Sequence, residues 1–326
     1  AFGVIMVKTK SGMSGKTKVS YSGDLRFADA VQVPDMLDSH KFALYFNQAA
    51  ANSGQGAVFT QETLDRIVAY QNGTLKDGTV EAVDNPGRWG MYNSANANTN
   101  WFKEMYRSWV PTQNHNVSVS GGNEKLTYLI SAGVLDQDGL IRHGDDKFNR
   151  YSLNAKISAT LSEWATLNLS TRWIREDYKR PTYMTGLFFH NIARRWPTNP
   201  VYDPNGYYME GNEILQMEDG GKQKHQKDYL YQQAQLVLEP LKDWKIFAEG
   251  NYNTEQNFTH WDVLPIYGHD VNGTAFAASW SGGAPGYSEV AENVYKNNFM
   301  SSNIYSEYSL SLNETHNFKV MGGMNA

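Results

Sequence analysis

The chain has 326 residues, of which 29 are Lys or Arg and 34 are Asp or Glu, so its formal net charge is -5. This balance argues against a nucleic-acid-binding protein, which usually carries a basic patch. Mean hydropathy is -0.57 and cysteine is absent, which excludes a disulfide framework and a cysteine-ligated zinc site. The sequence lacks an apolar run of roughly 18 residues, so no transmembrane helix is expected.

Nine segments alternate polar and apolar residues with period 2, and this pattern predicts β-strands because successive side chains of a strand point to opposite faces. The clearest segment runs from Phe148 to Leu161. Its apolar positions are Tyr151, Leu153, Ala155, Ile157, Ala159 and Leu161. The predicted strands are 17–27, 113–121, 124–135, 147–161, 164–176, 228–239, 244–256, 297–312 and 317–325.

The connections between these strands alternate in length. Short turns are predicted at 121–124, 161–164, 239–243 and 313–316. Long connections are predicted at 28–112, 177–227 and 257–296, with a modest one at 136–146. Short periplasmic turns and long outer loops are typical of transmembrane antiparallel β-barrels, and they predict which side of the membrane each connection occupies. Trp164 and Trp244 directly follow two short turns, where an aromatic girdle is expected. A soluble β-sandwich remains the alternative.

Helices are predicted inside the first long connection. Pro34 and Asp35 precede a predicted helical run that begins near Met36, carries its apolar residues at 36, 37 and 42–46, and ends at residues 52–54. Thr60 is a predicted N-cap, with Glu62 in the first turn. A further set of aromatic and apolar residues recurs at helical spacing: Trp101, Phe102, Met105, Tyr106 and Trp109. These stripes favour packing of the loops onto the barrel rim.

Five segments resemble one family. Ala1–Gly12 is similar to the last plug strand of SusC/RagA-like TonB-dependent outer-membrane transporters. Asn114–Gly122 and Tyr128–Ser131 are similar to the second and third barrel strands of that family, and Leu135–Leu140 and Phe148–Asn154 to the next loop and strand. The resemblance is strong over about residues 1–180 and diffuse beyond them.

The resemblance implies a barrel of about 22 strands, closed by a plug. Residues 1–12 would be the C-terminal end of the plug domain, and residues 13–326 the incomplete N-terminal part of the barrel. It also implies a multi-pass barrel in the outer membrane of a Gram-negative bacterium, surrounded by lipid. The implied partners are a SusD-like surface lipoprotein and the TonB complex, and the implied activity is energised import of oligosaccharides. Because nine strands is an odd number and bacterial single-chain barrels have even counts, the chain is expected to be a piece of a larger protein.

Candidate site residues fall in two groups, and neither group is catalytic. The residues predicted to face the lumen are Arg150, Asn154, Lys156, Asn168, Arg172, Glu249 and Asn251. Loop aromatics could present flat apolar faces to sugar rings. The predicted ligand-binding aromatics are Trp89, Tyr92, Trp196, Tyr207, Tyr208, Trp261 and Trp280.

No nucleophile, zinc or nucleotide motif occurs in the sequence, so no enzyme, cofactor or metal is expected. The segment Asp136–Gly139 looks like the start of a calcium loop, but it lacks the later ligands. It is better explained as a hairpin connection with Gly139 at a positive φ. Three alternative functions stay open: an oligopeptide importer of the same family, a receptor for iron chelates, and a non-transporting carbohydrate-binding surface β-protein.

Overall fold

The computed structural model describes residues 9–279, 284–312 and 316–326. Its strands are β1 Gly15–Ala28, β2 Val110–Gly122, β3 Leu126–Asp138, β4 Lys147–Ser162, β5 Ala165–Pro181, β6 Lys222–Leu241, β7 Trp244–Val263, β8 Ile266–His269, β9 Ala275–Ala278, β10 Glu289–Leu312 and β11 His316–Asn325. Its helices are α1 Ser39–Asn52, α2 Gln61–Gln71, α3 Trp101–Met105, α4 Gly186–Arg194 and α5 Glu213–Asp219.

Nine strands form one antiparallel sheet in the order β1-β2-β3-β4-β5-β6-β7-β10-β11. Each strand pairs with the next one, apart from the small hairpin of β8 and β9 between β7 and β10. The predicted all-β fold and the nine predicted strands are therefore confirmed. Of the predicted plug end, residues 1–8 lie outside the described residues, and residues 9–12 are irregular.

The strands on the long-loop side are longer than the sequence predicts. β5 continues to Pro181, β6 begins at Lys222, β7 ends at Val263 and β10 begins at Glu289. The long connections therefore shrink to 29–109, 182–221 and 264–288. In these extensions both faces carry polar residues. The period-2 pattern that marks the half of each strand near the short turns therefore disappears, although the ladder of backbone hydrogen bonds continues.

Short turns join the opposite strand ends, as predicted. In the turn at 123–125, the Asn123 side-chain oxygen accepts hydrogen bonds from the amides of Lys125 and Leu126 at 2.8 and 2.9 Å. Asp243, in the turn before β7, has a φ of 66°, a left-handed conformation that Asp tolerates better than most residues. The predicted turn at 313–316 falls largely outside the described residues.

The predicted helical run that ends at 52–54 is confirmed as α1, and Asp38 is its N-cap because the Asp38 carboxylate accepts the Lys41 amide. Two other sequence-based assignments in the connections are wrong. Helix α3 ends at Met105, and Trp109 is 75% exposed with a φ of 57°. Asp136 and Asp138 belong to β3, and the positive φ of this connection is at Gly144. By contrast, Thr60 caps α2, with Glu62 in its first turn, as predicted.

Gly139 is required for a different reason. A Cβ atom at this position would overlap the side-chain carboxylate of Asp146. The backbone amide of Gly139 donates a hydrogen bond to the backbone carbonyl of Asp146 at 2.7 Å. The close approach of the two chain segments, and not a left-handed backbone, explains the glycine.

The buried core lies in the connections and not on the sheet. We use the name loop assembly for helices α1–α5, the β8–β9 hairpin, the long connections that contain them, and the 139–146 connection. Its largest cluster of buried residues is Trp101, Met105, Ile141, Tyr183, Met184, Phe188, Ile192, Ile214 and Met217. A second cluster contains Ala43, Phe59 and Ile67. Each connection thus packs its apolar side chains against those of the others.

The sheet itself has one apolar face and one polar face, and the apolar face is left uncovered. The soluble β-sandwich alternative predicts a second sheet packed on this face. Apart from the nine-stranded sheet, residues 9–279, 284–312 and 316–326 form only the two-stranded β8–β9 sheet, which packs against α5. No helix in these ranges is long and apolar enough to cross a membrane.

Candidate functional site

The polar face of the sheet carries all seven residues predicted to face the lumen. The register aligns Asn154 with Arg172 and Ser158 with Asn168 across β4 and β5. It also aligns Gln235 with Glu249 across β6 and β7. Because side chains alternate along each strand, the seven residues share this face, which we call the polar face. That it borders an aqueous lumen stays a prediction.

Four of these residues line one cleft, together with residues 9 and 10. The cleft has a volume of about 520 Å³, and Asn154, Lys156, Arg172 and Asn251 are part of its wall. The Lys156 ammonium group donates a hydrogen bond to the Thr9 hydroxyl. Residues 9 and 10 therefore lie against the polar face.

The opposite face presents exposed apolar side chains over many strands. The exposed fractions are 69% for Val19, 42% for Ile130, 43% for Leu153 and 41% for Leu169. We call this the apolar face. Polar side chains on β1 and β2 of this face find partners within the sheet; Tyr21 Oη, for example, lies 2.8 Å from His115 Nδ1.

The loop assembly brings two of the predicted ligand-binding aromatics together. Tyr92 and Trp196 are edge to face with ring centroids 5.5 Å apart. They line a cleft of about 290 Å³ with Asn191, Arg194 and Arg195. We call it the loop cleft. It combines flat aromatic surface with amide and guanidinium donors, which suits a polar ligand.

Trp196 is held in place by an aromatic cluster from the first connection. Its ring centroid lies 5.2, 4.6 and 5.6 Å from those of Phe42, Phe46 and Phe59. Its backbone carbonyl accepts the indole N–H of Trp101 at 3.0 Å. Most of this ring is therefore used for packing, and Tyr92, which is 44% exposed, offers the larger free surface.

A buried ion pair joins Arg195, in the wall of the loop cleft, to Glu213. Arg195 Nε lies 3.0 Å from Glu213 Oε2, and a second guanidinium nitrogen bonds Oε1. The Glu213 side chain is fully buried. Burial alone would lower the pKa of Arg195, but the hydrogen bond and charge of Glu213 hold it above its ordinary value. Arg195 also donates a hydrogen bond to the Tyr92 hydroxyl at 3.3 Å. The ion pair therefore helps to position both a guanidinium group and an aromatic ring of the cleft.

The remaining predicted aromatics do not join this cleft. Trp89 pairs with Glu81 in an isolated bridge, Tyr207 stacks on His269 at 3.6 Å, and Tyr208 stacks on Tyr202 at 5.0 Å. Trp261 is not a loop residue, because it lies in β7 opposite Gln223. Trp280 lies outside the described residues.

Sequence reasoning did not single out Asn191, Arg194 or Arg195. Their only signal was the adjacency of Arg194 and Arg195 to Trp196, which does not show that Tyr92, about a hundred residues earlier, completes the cleft. Within the described ranges, His, Asp and Glu residues form no group of three that could hold a metal ion.

Comparison with known proteins identifies similar chains. No protein-family profile matches. The chain is 24% identical over 209 residues to the TonB-dependent receptor SusC of Bacteroides thetaiotaomicron, covering 64% of this chain and 17% of SusC. It is 23% identical over 219 residues to the TonB-dependent receptor P26 of Formosa agariphila, covering 66% of this chain and 18% of P26.

Solved structures of the RagAB peptide transporter match the fold. In the "closed-closed" state the TM-score is 0.66 at 19% identity, covering 97% of this chain and 35% of that chain. A second RagAB structure gives a TM-score of 0.65. The chain is SusC-like in sequence and RagAB-like in fold. The resemblance predicted from the sequence is thereby confirmed. The chain spans less than a fifth of the length of these two curated relatives.

Proposed function

We propose that this chain is part of a TonB-dependent importer in the bacterial outer membrane. The observation that carries this proposal is the uncovered apolar face, which extends over the sheet from Val19 on β1 to Val320 on β11. Soluble monomers rarely expose an apolar patch larger than a few hundred Å². Lipid would cover this face, and the polar face would border the interior of a barrel.

The position of residues 9–12 supports a plugged barrel. Lys156 holds Thr9 against the polar face, and the Gly12 backbone approaches Tyr128 so closely that a Cβ atom would lie 2.5 Å from the Tyr128 amide nitrogen. We therefore assign residues 1–12 to the end of the plug and residues 13–326 to the barrel. Such a plug has to be moved for passage, and the TonB complex would supply the work from the periplasmic side.

The proposed cargo is a polar oligomer, and an oligosaccharide is the first choice. Tyr92 in the loop cleft and Tyr207 beside His269 expose 44% and 43% of their surfaces. Flat phenol rings fit the C–H patches of sugar rings, while Asn191 and Arg194 would bond hydroxyl groups. A SusD-like surface lipoprotein would cover the loop assembly and enclose the oligomer.

An oligopeptide is the second choice. The solved neighbours are peptide transporters, and the guanidinium group of Arg194 could pair with a peptide carboxylate. Uptake of labelled oligosaccharides and oligopeptides by cells that express the intact protein would separate the two cargoes.

Deletion of TonB tests the import mechanism. We expect uptake of the cognate oligomer to cease in the deletion strain, whereas binding at the cell surface persists. Uptake at the wild-type rate without TonB would contradict energised import. Cleavage of the oligomer by the purified protein would contradict a purely transporting role.

A further inference from the structure

Lysines from adjacent strands form a row on the apolar side of the sheet, near the loop assembly. Lys147 of β4 is directly opposite Lys179 of β5, and Lys179 is opposite Lys224 of β6. Lys222 is the next residue of β6 with the same orientation and pairs with Pro181. Like charges directly opposite each other on neighbouring strands are destabilising, so this row needs anions beside it.

The carboxylates of the chain neutralise only part of the row. Lys147 lies 2.9 Å from Asp136 and 3.7 Å from Asp138. Lys179 and Lys222 share a single oxygen of Asp145, at 2.6 and 2.9 Å. Lys224 is exposed and has no ion pair with any residue that the structure describes. Among the described residues, Lys179, Lys222 and Lys224 have one ion-pair partner, Asp145. Asp177 on β5 and Asp262 on β7 lie on the same side of the sheet, and Asp262 accepts the Lys222 backbone amide, but neither carboxylate forms an ion pair with these lysines.

Two glutamates near these lysines contact histidines instead. The Glu292 carboxylate contacts His260 Nδ1 at 3.1 Å, and His260 is opposite Lys224 on β7. The Glu218 carboxylate lies 3.0 Å from His143 Nδ1. The exposed Lys224 ammonium group is thus accessible to an external anion.

The height of the row identifies the source of that anion. Lys179 is twelve residues above Leu167 on β5, which is roughly 30 Å along the membrane normal at a rise of ~3.3 Å per residue and a tilt of about 40°. The apolar band of such barrels is about 25 Å tall. The row would therefore lie just beyond the band, at the level of the lipid head groups.

A second charged pair on the same side supports this placement by contrast. Arg175 lies four residues closer to Leu167, inside the band, and is closed by Asp228 in a bidentate pair at 2.8 and 2.9 Å. A charge within the apolar band must be paired internally, whereas the lysines above it retain free hydrogen-bond donors.

We propose that Lys179, Lys222 and Lys224 bind the phosphate group of a lipid head group in the outer leaflet. This inference rests on the proposed membrane location. Lysine binds phosphate as a compact point charge with three donors, and three ammonium groups on two adjacent strands can surround one phosphate.

Lipid binding by the intact protein in detergent micelles tests the proposal. The probes are phosphorylated lipid A, the same lipid after dephosphorylation, and inorganic phosphate, with bound lipid measured by native mass spectrometry. We expect phosphorylated lipid A to bind at least about tenfold more tightly than the dephosphorylated form. The double variant K179Q/K224Q should lose this preference, and Lys242→Gln, at the opposite end of the sheet, should keep it.

The variant Asp145→Asn provides a second test, in which the expected result is tighter and not weaker lipid binding. It removes the shared counter-charge and should tighten binding of phosphorylated lipid A. Equal binding of the two lipids, an unchanged K179Q/K224Q variant, or displacement of the lipid by inorganic phosphate at equal concentration would overturn the proposal. Because insertion into micelles does not require the phosphate, a protein that fails to insert contradicts the proposed function instead.

Discussion

The buried pair of Arg195 and Glu213 is the residue-level feature on which the loop cleft depends. The two side chains are only 10% and 0% exposed, so removal of one partner leaves a buried charge without compensation. We expect Glu213→Gln to destabilise the loop assembly by about 3–5 kcal/mol. Urea unfolding followed by tryptophan fluorescence measures this change, because Trp101 and Trp196 lie in the assembly.

An exposed pair in the same assembly provides the control. Glu62 is 82% exposed and contacts Arg66 at 2.8 Å. Glu62→Gln should therefore change the free energy of unfolding by no more than about 0.5 kcal/mol. Equal effects of the two substitutions would show that the Arg195–Glu213 pair is not buried in solution.

Asp145 is the residue whose charge should make the 139–146 connection sensitive to acid. Hydrogen bonds from Lys179 and Lys222 lower the pKa of Asp145 from 3.8 to about 2. Its stabilising effect is therefore complete above pH 3.8 and is lost as the pH falls towards about 2. Amide exchange in residues 139–146 should be slower in the wild type than in Asp145→Asn above this range, and the difference should vanish below it. A difference that persists under strong acid would contradict this role.

At the scale of the strand, substitutions on the two faces of β4 should differ in their cost. Leu153 lies on the apolar face opposite Ala132 and Trp173, whereas Asn154 on the polar face donates to Ser131 Oγ at 3.4 Å. Leu153→Arg should cost ~2–4 kcal/mol because a guanidinium group would enter the lipid. Asn154→Gln should have little effect. Folding titrations into micelles measure both, and similar costs would refute the facing assignment.

The same contrast of faces explains how much of the fold could be predicted. Between the short turns and about the level of Arg175, one face is apolar and the other polar, so the sequence displays period 2. Beyond that level, residues such as Lys179 and Lys224 are charged on the apolar side, and the strands continue without a visible pattern. Trp109 shows the opposite failure, since it fits the spacing of α3 but lies outside the helix.

The loop cleft could be predicted only in part. Tyr92 and Trp196 were identified because aromatic residues in polar loops are conspicuous. Their proximity depends on Phe42, Phe46 and Phe59 packing around Trp196, and these contacts join connections separated by more than a hundred residues. Local patterns contain no information about such tertiary packing.

At the scale of the whole molecule, the alternation of short turns and long connections predicts sidedness. The turns at 123–125, 163–164 and 242–243 should face the periplasm, and the loop assembly should face outward. Because the native chain has no cysteine, single cysteines report position without background. Val83, which is 95% exposed in the first long connection, and Glu124, in the first short turn, are suitable sites.

An impermeant thiol reagent applied to whole cells should label Val83→Cys and leave Glu124→Cys unlabelled until the outer membrane is opened. Neither side chain makes a hydrogen bond or ion pair in the part of the chain that the structure describes, so neither substitution should disturb the fold. Labelling of Glu124→Cys alone on intact cells would invert the topology. Equal labelling of both on intact cells would mean that the sheet does not separate two compartments, which would refute the membrane-spanning arrangement itself.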